Sequence, residues 1–215
     1  MKQNLSSADH EHLDRLISDI EKRTNAQIVL AVIQRSDNYA EIPWKAFALG
    51  ASLTGLMVFL LSLLSLDWDT QGTVIISIVA ILGCGALLAL LTTLIPKLAR
   101  QFLSDSEADM EVRQYAESLF LNRELFATSS RTGILVLVSL FERKIVVIPD
   151  NGLSSRLTED STRGVIKAMT PFLKQGNVRE AFEAGLKQLA DSLGKTGQAI
   201  SGNELPDDII EEEGS

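Results

Sequence analysis

Two aspartates, Asp67 and Asp69, lie at an i, i+2 spacing in the stretch LSLDWDTQG, directly after a long apolar run. Phosphoryl-transfer enzymes with an aspartate nucleophile place a second, acid–base aspartate at this spacing, in the pattern D-x-D-x-T/V. Here Gln71 stands where threonine or valine is required. A nucleophilic aspartate also needs a magnesium site and a phosphate cradle, which a short loop cannot build. We therefore interpret the two aspartates as the hydrated tip of a turn.

Two histidines, His10 and His12, lie in the N-terminal segment DHEHLD. On a helix, residues i and i+2 do not share a face, so the two imidazoles would chelate one metal ion poorly. We interpret them as solvated residues of a first helical turn. The sequence contains no Ser–His–Asp set, glycine-rich phosphate loop or Cys–His zinc pattern, and its only cysteine, Cys84, is interpreted as a small packing residue.

A third group of polar residues follows a predicted strand and precedes a predicted helix. Asp150 and Asn151 lie in the segment PDNG, and Glu159 and Asp160 lie in the segment TED. Their oxygens are candidate ligands for a divalent cation. The same segments are also an ordinary turn and an ordinary helix cap. Both interpretations stay open at this point.

Two long uncharged segments flank the aspartate turn. Residues 46–66 are 21 uncharged residues, and residues 70–96 are 27 more. A helix of about 20 apolar residues crosses a hydrocarbon core ~30 Å thick. Neither segment has the polar stripe of a helix that packs on a soluble core. The sequence therefore predicts a transmembrane hairpin over 44–95, with spans at about 46–66 and 73–95.

The charges that flank the hairpin predict its orientation. Lys45 precedes the first span, and Lys97 and Arg100 follow the second, whereas loop 67–72 contains no lysine or arginine. Positive residues are enriched on the cytoplasmic side of membrane spans. We therefore expect an integral protein of the plasma (inner) membrane of a bacterium, with both termini in the cytoplasm and loop 67–72 outside.

Small residues recur at matching depths of the two spans, at Ala51 and Gly55 in the first and at Gly85 and Ala89 in the second. Small side chains let two membrane helices approach closely, and Gly55 and Gly85 would lie at similar heights in an antiparallel hairpin. The alternative is that glycine and alanine are simply common in membrane helices.

The rest of the chain alternates between helical and strand patterns, which indicates an α/β fold. A capping pattern at Ser6 and Asp9 predicts the start of the first helix. A long crossover predicts parallel pairing of the first two strands, and a short turn predicts an antiparallel third, which makes the small sheet mixed. The predicted strands are 26–34, 133–139 and 143–149, and the later helices are 105–126, one that ends near Pro171, and one that ends before Gly194.

This arrangement predicts a discontinuous cytosolic domain made of residues 1–43 and 96–194. The first strand ends just before the hairpin, and a parallel second strand would end at the same edge of the sheet. We therefore expect a basic collar near anionic headgroups. Its members are Arg35, Lys45, Lys97, Arg100, Arg143 and Lys144.

The net charge of −8 comes mostly from the end of the chain. The segment NELPDDIIEEEGS contains six acidic residues and no basic one, so the remainder carries a charge of −2. A nucleic-acid partner would find no basic surface that favours binding. Residues 195–215 lack periodicity, and we interpret them as a disordered acidic tail.

Four segments resemble the TPM-domain family in order and spacing. They are RTNAQIVLAVI, YAESLF, TGILVLVSLFERKIVVI and LTEDSTRGVIKAMTPFLKQGNVREAFEAGLKQLADSL, and the resemblance covers about 13–35 and 104–193. It implies a three-layer α/β/α sandwich, here interrupted by the transmembrane hairpin. Many relatives expose this domain outside the membrane, whereas the charges here predict a cytoplasmic one.

The resemblance also bears on activity. Relatives usually have a G-x-G-L/I turn after the third strand, and PDNGL here keeps Gly152 and Leu153 but not the first glycine. Some relatives are phosphatases with acidic, calcium-binding loops, and Asp150 and Asp160 would stand at such positions in this chain. The resemblance therefore makes these two the candidate catalytic carboxylates and calcium the candidate divalent cation. We expect an accessory, assembly or maintenance factor whose partners are the lipid bilayer and a membrane protein. The alternatives are a weak metal-dependent phosphatase and a cation-binding sensor module.

Overall fold

The computed structural model of the chain describes residues 5–64, 71–194 and 209–214. The chain forms two compact units, one made of Met1–Asp37 and Ala108–Ser215, the other of Asn38–Glu107. We predicted the boundaries at 43/44 and 95/96. The second unit is larger because its first helix begins at Glu41, before the apolar run, and because short helical turns follow the second span.

The first unit is built on a mixed sheet of four strands in the order β3-β2-β1-β4. β1 pairs in parallel with β2 and with β4, and β2 pairs with β3 in antiparallel. The parallel crossover and the antiparallel hairpin are therefore confirmed. The strands are β1 (Gln27–Arg35), β2 (Gly133–Ser139), β3 (Lys144–Pro149) and β4 (Ile210–Gly214).

Helices cover both faces of this sheet, which confirms the three-layer α/β/α class. Alternate residues of β1 point to opposite faces, so Ile28, Leu30 and Val32 join the core on one side. That core also takes residues of α1 (Ser7–Thr24), α6 (Glu159–Lys174) and α7 (Val178–Leu193). The other core joins Val29, Ala31 and Ile33 to α5 (Asp105–Asn122).

Local signals fix the start of α1. The Ser6 hydroxyl accepts a hydrogen bond from the Asp9 amide, and the Asp9 carboxylate accepts one from the Ser6 amide, so the predicted capping box is confirmed. The hydrogen bonds from Ser6 hold the pKa of the Asp9 carboxyl below its ordinary value.

Our expectation that α6 ends near Pro171 is wrong, because the helix continues to Lys174. A proline in a helix removes one N–H and leaves a carbonyl of the preceding turn without its partner. Pro171 is exposed and lies in the last turn, where water can reach that carbonyl. At such a position a proline does not end the helix.

The second unit consists of two long antiparallel helices and two short turns. The helices α2 (Glu41–Leu64) and α3 (Gln71–Leu94) are long and apolar enough to cross a membrane. A short helix α4 (Pro96–Ala99) and a 3-10 turn (Arg100–Phe102) follow them. Residues 65–70, which include Asp67 and Asp69, lie outside the described part of the chain.

Two glycines set the packing of α2 against α3. A Cβ on Gly50 would lie 3.0 Å from the Cys84 carbonyl oxygen, and one on Gly85 would lie 2.9 Å from the Phe47 ring. Gly85 is therefore at the contact as predicted, but its partner is Gly50. The predicted Gly55 instead faces the Ile81 side chain at 3.9 Å. The two helices are therefore offset along their axes from the alignment that we predicted, so that Gly50 and not Gly55 lies opposite Gly85.

The C-terminal segment contains the largest departure from the sequence prediction. Residues 210–214 form β4 on the open edge of β1, so the acidic tail is not disordered over its whole length. The physical reason is the pair Ile209 and Ile210, which join the two opposite cores, Ile209 as a buried residue of the first and Ile210 packed against the second. Residues 195–208 lie outside the described part of the chain.

The carboxyl ends of β1 and β2 lie at the same end of the sheet, because the two strands are parallel. The Phe141 amide donates to the Gln34 carbonyl at 2.8 Å. The buried Glu142 carboxylate accepts the Ser36 amide at 2.9 Å, which ties the two strand ends together. The predicted basic collar is divided between the two units. The first unit contains Arg35, Arg143 and Lys144. The second unit contains Lys45, Lys97 and Arg100.

Candidate functional site

The strongest candidate carboxylate, Asp150, follows the end of β3. Since β3 is antiparallel to β2, this residue lies at the opposite end of the sheet from Glu142. Its amide donates to the Gly133 carbonyl at 2.8 Å, and only 3% of its side chain is exposed. Arg131 Nη2 donates to Oδ1 at 3.0 Å, and the Asn151 amide donates to the same oxygen at 2.7 Å. Arg131 Nε lies 2.9 Å from Oδ2, but its N–H does not point at that oxygen, which accepts no hydrogen bond from the described residues.

Glycine is required next to this carboxylate. A Cβ on Gly152 would lie 2.2 Å from the Ser130 carbonyl oxygen and 2.5 Å from that of Arg131. The Gly152 amide donates to the Arg131 carbonyl at 2.9 Å, so the turn after β3 lies directly on the loop before β2. This contact explains why the turn keeps its second glycine, and it positions the Arg131 guanidinium, which also lies 5.4 Å from the Phe126 ring.

The acids at the start of α6 have a different environment. The side chains of Glu159 and Asp160 are 90% and 89% exposed. Both pair with Arg163, at 3.1 and 3.0 Å, one turn further along the helix. Thr158 caps the helix, since its side chain accepts from the Ser161 amide. These are the contacts of a solvated, capped helix N-terminus.

These residues do not fit a calcium ion. Calcium takes six to eight oxygen ligands at about 2.3–2.6 Å. Asp150 is already neutralised by a guanidinium, and the two acids of α6 point into solvent with their own arginine. Over the described ranges, no three His, Cys, Asp or Glu side chains come together in a group that could hold a metal. Whether Asp150 and Asp160 act in catalysis stays an untested prediction.

The two histidines of α1 also do not share a ligand site. His10 Nε2 lies 2.9 Å from the Glu211 carboxylate of β4, and His12 Nε2 lies 3.2 Å from Glu183 of α7. Arg179 of α7 adds contacts to Asp9 at 3.4 Å and to Glu183 at 3.7 Å. The histidines are therefore pairing residues between elements, which the spacing on the helix did not reveal.

The edge of β1 is a second candidate site, and it is built from both helix layers. β4 lies on this edge in register, with Ala31 opposite Ile210 and Ile33 opposite Glu212. Glu211 meets His10 from the α1 side. On the α5 side, Glu212 accepts the Tyr115 hydroxyl at 2.7 Å and Arg123 Nη2 at 2.9 Å.

Tyr115 is half-buried at this edge, beside the Glu212 carboxylate. Burial of the phenol, together with the hydrogen bond to Glu212, raises the pKa of Tyr115 above its ordinary value. The hydroxyl is therefore held as a neutral donor. In a sequence, the signal for this site is small, because Ile209 and Ile210 are the only neighbouring apolar pair in an acidic segment.

Comparisons with known proteins agree with this architecture. Residues 96–192 match the family model for the TPM domain. The chain is also similar to the solved NMR structure of the BA42 protein from the psychrophilic bacterium Bizionia argentinensis. The TM-score is 0.58 with 15% sequence identity, over 98% of this chain and 97% of that one. At this identity the similarity shows the fold alone. No curated protein matches the chain.

The chain therefore contains a TPM domain, which confirms the family predicted from the sequence. The matched segment begins at Pro96, after the apolar hairpin, and ends within α7. The helix α1 and the central strand β1 precede the hairpin and lie outside the match, yet β1 is the strand on which both β2 and β4 pair.

Proposed function

We propose that this protein is a membrane-anchored TPM domain that binds a membrane protein complex as an accessory, assembly or maintenance factor. The observation that carries the anchoring is the surface of α2 and α3. The most apolar 18-residue stretches of the two helices have mean hydropathies of 2.2 and 2.9, and only 6% of each stretch is buried. A helix in the core of a soluble protein has the opposite distribution, since its apolar side chains are covered by protein.

Further features of the second unit support a bilayer environment. The seam between the helices contains hydroxyl groups that bond within their own helix, as Thr54 does to the Gly50 carbonyl at 2.9 Å and Ser77 does to that of Thr73 at 2.8 Å. These internal bonds satisfy the polar groups where lipid offers no partner. Trp44, 73% exposed near the start of α2, suits the headgroup region.

The proposed orientation has both termini in the cytoplasm and loop 67–72 outside. It rests on the positive residues that flank the hairpin and on their absence from the loop. A reporter fused at Gln71 and one fused after Ser215 should then report opposite sides of the membrane. Reporters that fall on the same side would contradict the proposed orientation.

Binding is favoured over hydrolysis by the state of the carboxylates. The buried Asp150 is paired with Arg131, and the exposed Glu159 and Asp160 are paired with Arg163. A general acid or base has to reach its substrate with a matched proton affinity. The side of β1, in contrast, already binds an extended peptide segment, the strand β4.

The test uses the full chain in native membranes. A photo-crosslinking amino acid is placed at Leu121 of α5, which is 61% exposed. A matched control is placed at the exposed Glu159. We expect one integral membrane protein in the product, recovered again by reciprocal capture from that protein, and less of its assembled complex on native gels when the chain is deleted.

Two results would reject the accessory role. One is an unchanged amount of every membrane complex after deletion of the chain. The other is divalent-dependent hydrolysis of p-nitrophenyl phosphate by the purified full chain that Asp150→Asn or Asp160→Asn abolishes. The second result would establish the phosphatase alternative in its place.

A further inference from the structure

We propose that the edge of β1 is a docking site for an acidic, isoleucine-led strand of a partner protein, and that residues 209–214 are its internal occupant. The inference builds on the accessory function proposed above, because it names the surface and the kind of peptide that this function would use. The partner strand would add to the sheet in parallel and displace the chain's own C-terminal strand.

The backbone of β1 provides the general part of this recognition. The strand is buried from Gln27 to Ile33 and lies between β2 and β4, so its outer edge offers a row of hydrogen-bonding groups to any parallel strand. Main-chain bonds of this kind give affinity in β-strand addition, and pockets for alternate side chains give specificity. The register runs from Ala31 opposite Ile210 to Arg35 opposite Gly214.

Side chains on both layers provide the specific part. Successive residues of a strand point to opposite faces, and here each face offers both apolar and polar contacts to β4. Ile209 and Glu211 lie on the α1 side, where the second meets His10 at 2.9 Å. Ile210 and Glu212 lie on the α5 side, where Arg123 and the neutral Tyr115 hydroxyl hold the carboxylate. The site therefore selects the order apolar, apolar, acidic, acidic.

The internal strand has the properties of a replaceable occupant. It is five residues long, and the side-chain contacts that hold it, an ion pair with Arg123 and a hydrogen bond with His10, are partly solvated. The side chains of Arg123 and Glu212 are 52% and 35% exposed, and those of His10 and Glu211 are 32% and 18% exposed. Ion pairs of this exposure are weak and sensitive to salt. The strand stays on the edge mainly because it is part of the same chain.

Because β4 is attached to the same chain, a competing peptide must exceed a certain affinity or concentration to displace it. A tethered segment competes at an effective concentration that is in the millimolar range for a short linker. A free peptide of the same sequence should therefore bind at least ~10-fold more tightly when the internal strand is removed or weakened. An acidic partner strand would overcome the tether through additional contacts of its own.

The experiment measures binding of a fluorescein-labelled peptide with the sequence DIIEEEGS to the purified full-length protein in nanodiscs, by anisotropy. The peptide should bind a chain that ends at Asp208, and bind the full chain at least ~10-fold more weakly. The peptide DIIKKKGS is the charge-reversed control and should bind neither. Arg123→Glu in the shortened chain should weaken binding of the acidic peptide by at least ~10-fold.

A second variant covers the case in which the shortened chain fails to fold. In the full-length chain, Glu211→Lys with Glu212→Lys removes the ion pairs of the internal strand and should expose the edge to the acidic peptide. The matched control is Asp207→Lys with Asp208→Lys, which changes the charge equally outside β4 and should leave peptide binding as weak as in the wild type.

Equal binding to the full-length, shortened and Lys-substituted chains, or no binding to any of them, would overturn the docking proposal. Mass photometry that finds a dimer which dissociates on removal of residues 209–215 would also overturn it, since the strand would then be exchanged between copies. The two proposals fail separately. Peptide binding without a captured membrane complex would reject the accessory role, and the reverse result would reject only the docking edge.

Discussion

Replacement of Arg131 by methionine should destabilise the TPM domain, because it leaves a buried carboxylate without its counter-ion. The side chain of Asp150 is 3% exposed, while that of Arg131 is 49% exposed. Methionine keeps most of the apolar stem of arginine beside Phe126, so the change removes the charge and the donors more than it removes packing. The Asn151 amide would remain as a donor to Asp150.

The expected loss follows from this burial. Removal of one partner from a buried ion pair costs about 3–5 kcal/mol. Because half of Arg131 is exposed, water can enter the vacated position, and we expect the lower end of the range, about 3 kcal/mol. The double variant with Asp150→Asn should recover roughly 2 kcal/mol, since the buried group is then neutral. The matched control, Arg163→Met, breaks two pairs whose acids are about 90% exposed and should cost less than about 1 kcal/mol.

Hydrogen exchange of the β2 amides in detergent micelles measures this directly. The two tryptophans of the chain, Trp44 and Trp68, both lie outside the segments that form the first unit, so their fluorescence does not report on this sheet. Exchange of the peptide that contains Gly133–Ser139 reports its opening free energy. A loss of about 3 kcal/mol would accelerate this exchange about a hundredfold.

Two outcomes would refute the argument. If Arg131→Met accelerates exchange no more than Arg163→Met, burial of Asp150 does not set the cost. If Asp150→Asn gives no recovery in the double variant, the effect comes from packing on Phe126 and not from charge.

Three further predictions concern other contacts. Arg156→Leu removes the guanidinium that donates to the carbonyls at the ends of α1 and α7, at 2.6 to 3.1 Å, and should cost about 2 kcal/mol in circular-dichroism melts, with arginine-to-lysine recovering only part. Gly50→Val places a side chain against the α3 backbone and should lower the melting temperature seen by tryptophan fluorescence, whereas Gly83→Val, which meets nothing within 4 Å, should not. Because the folded chain raises the pKa of Tyr115, stability should be intact below the pKa of an unfolded tyrosine, about 10, and fall as the pH rises above it. Tyr115→Phe should remove most of that alkaline loss in melts at pH 8 and 10.5, and a wild type that loses no stability there would contradict the argument.

Local sequence signals predicted most of the first unit. The capping residues Ser6 and Asp9 mark the start of α1, and Gly194, with φ 65°, follows the end of α7. Both signals depend on neighbours in the chain, which a sequence displays directly. The apolar runs of β1 and β2 are buried on both faces, so their type and approximate bounds could be predicted without knowledge of their partners.

The parts that the sequence did not predict depend on distant partners. β4 contains three glutamates in five residues, and its charge dominates the local pattern. The two isoleucines at its start reach the cores on either side of the sheet, and its glutamates meet His10, Tyr115 and Arg123, all distant in the chain. Likewise, the spacing of Asp150 indicates a cation ligand, and only the fold shows that Arg131 lies beside it.

The position of the two apolar helices between β1 and β2 has a consequence for biosynthesis. β1 leaves the ribosome before its partner β2, which follows only after both apolar helices, and β4 comes later still. Since chains emerge at about 5–20 residues per second, β1 stays without a partner for several seconds. During that time its apolar side chains would be exposed to chaperones and to aggregation. The sheet can therefore form only after both apolar helices and β2 have been translated.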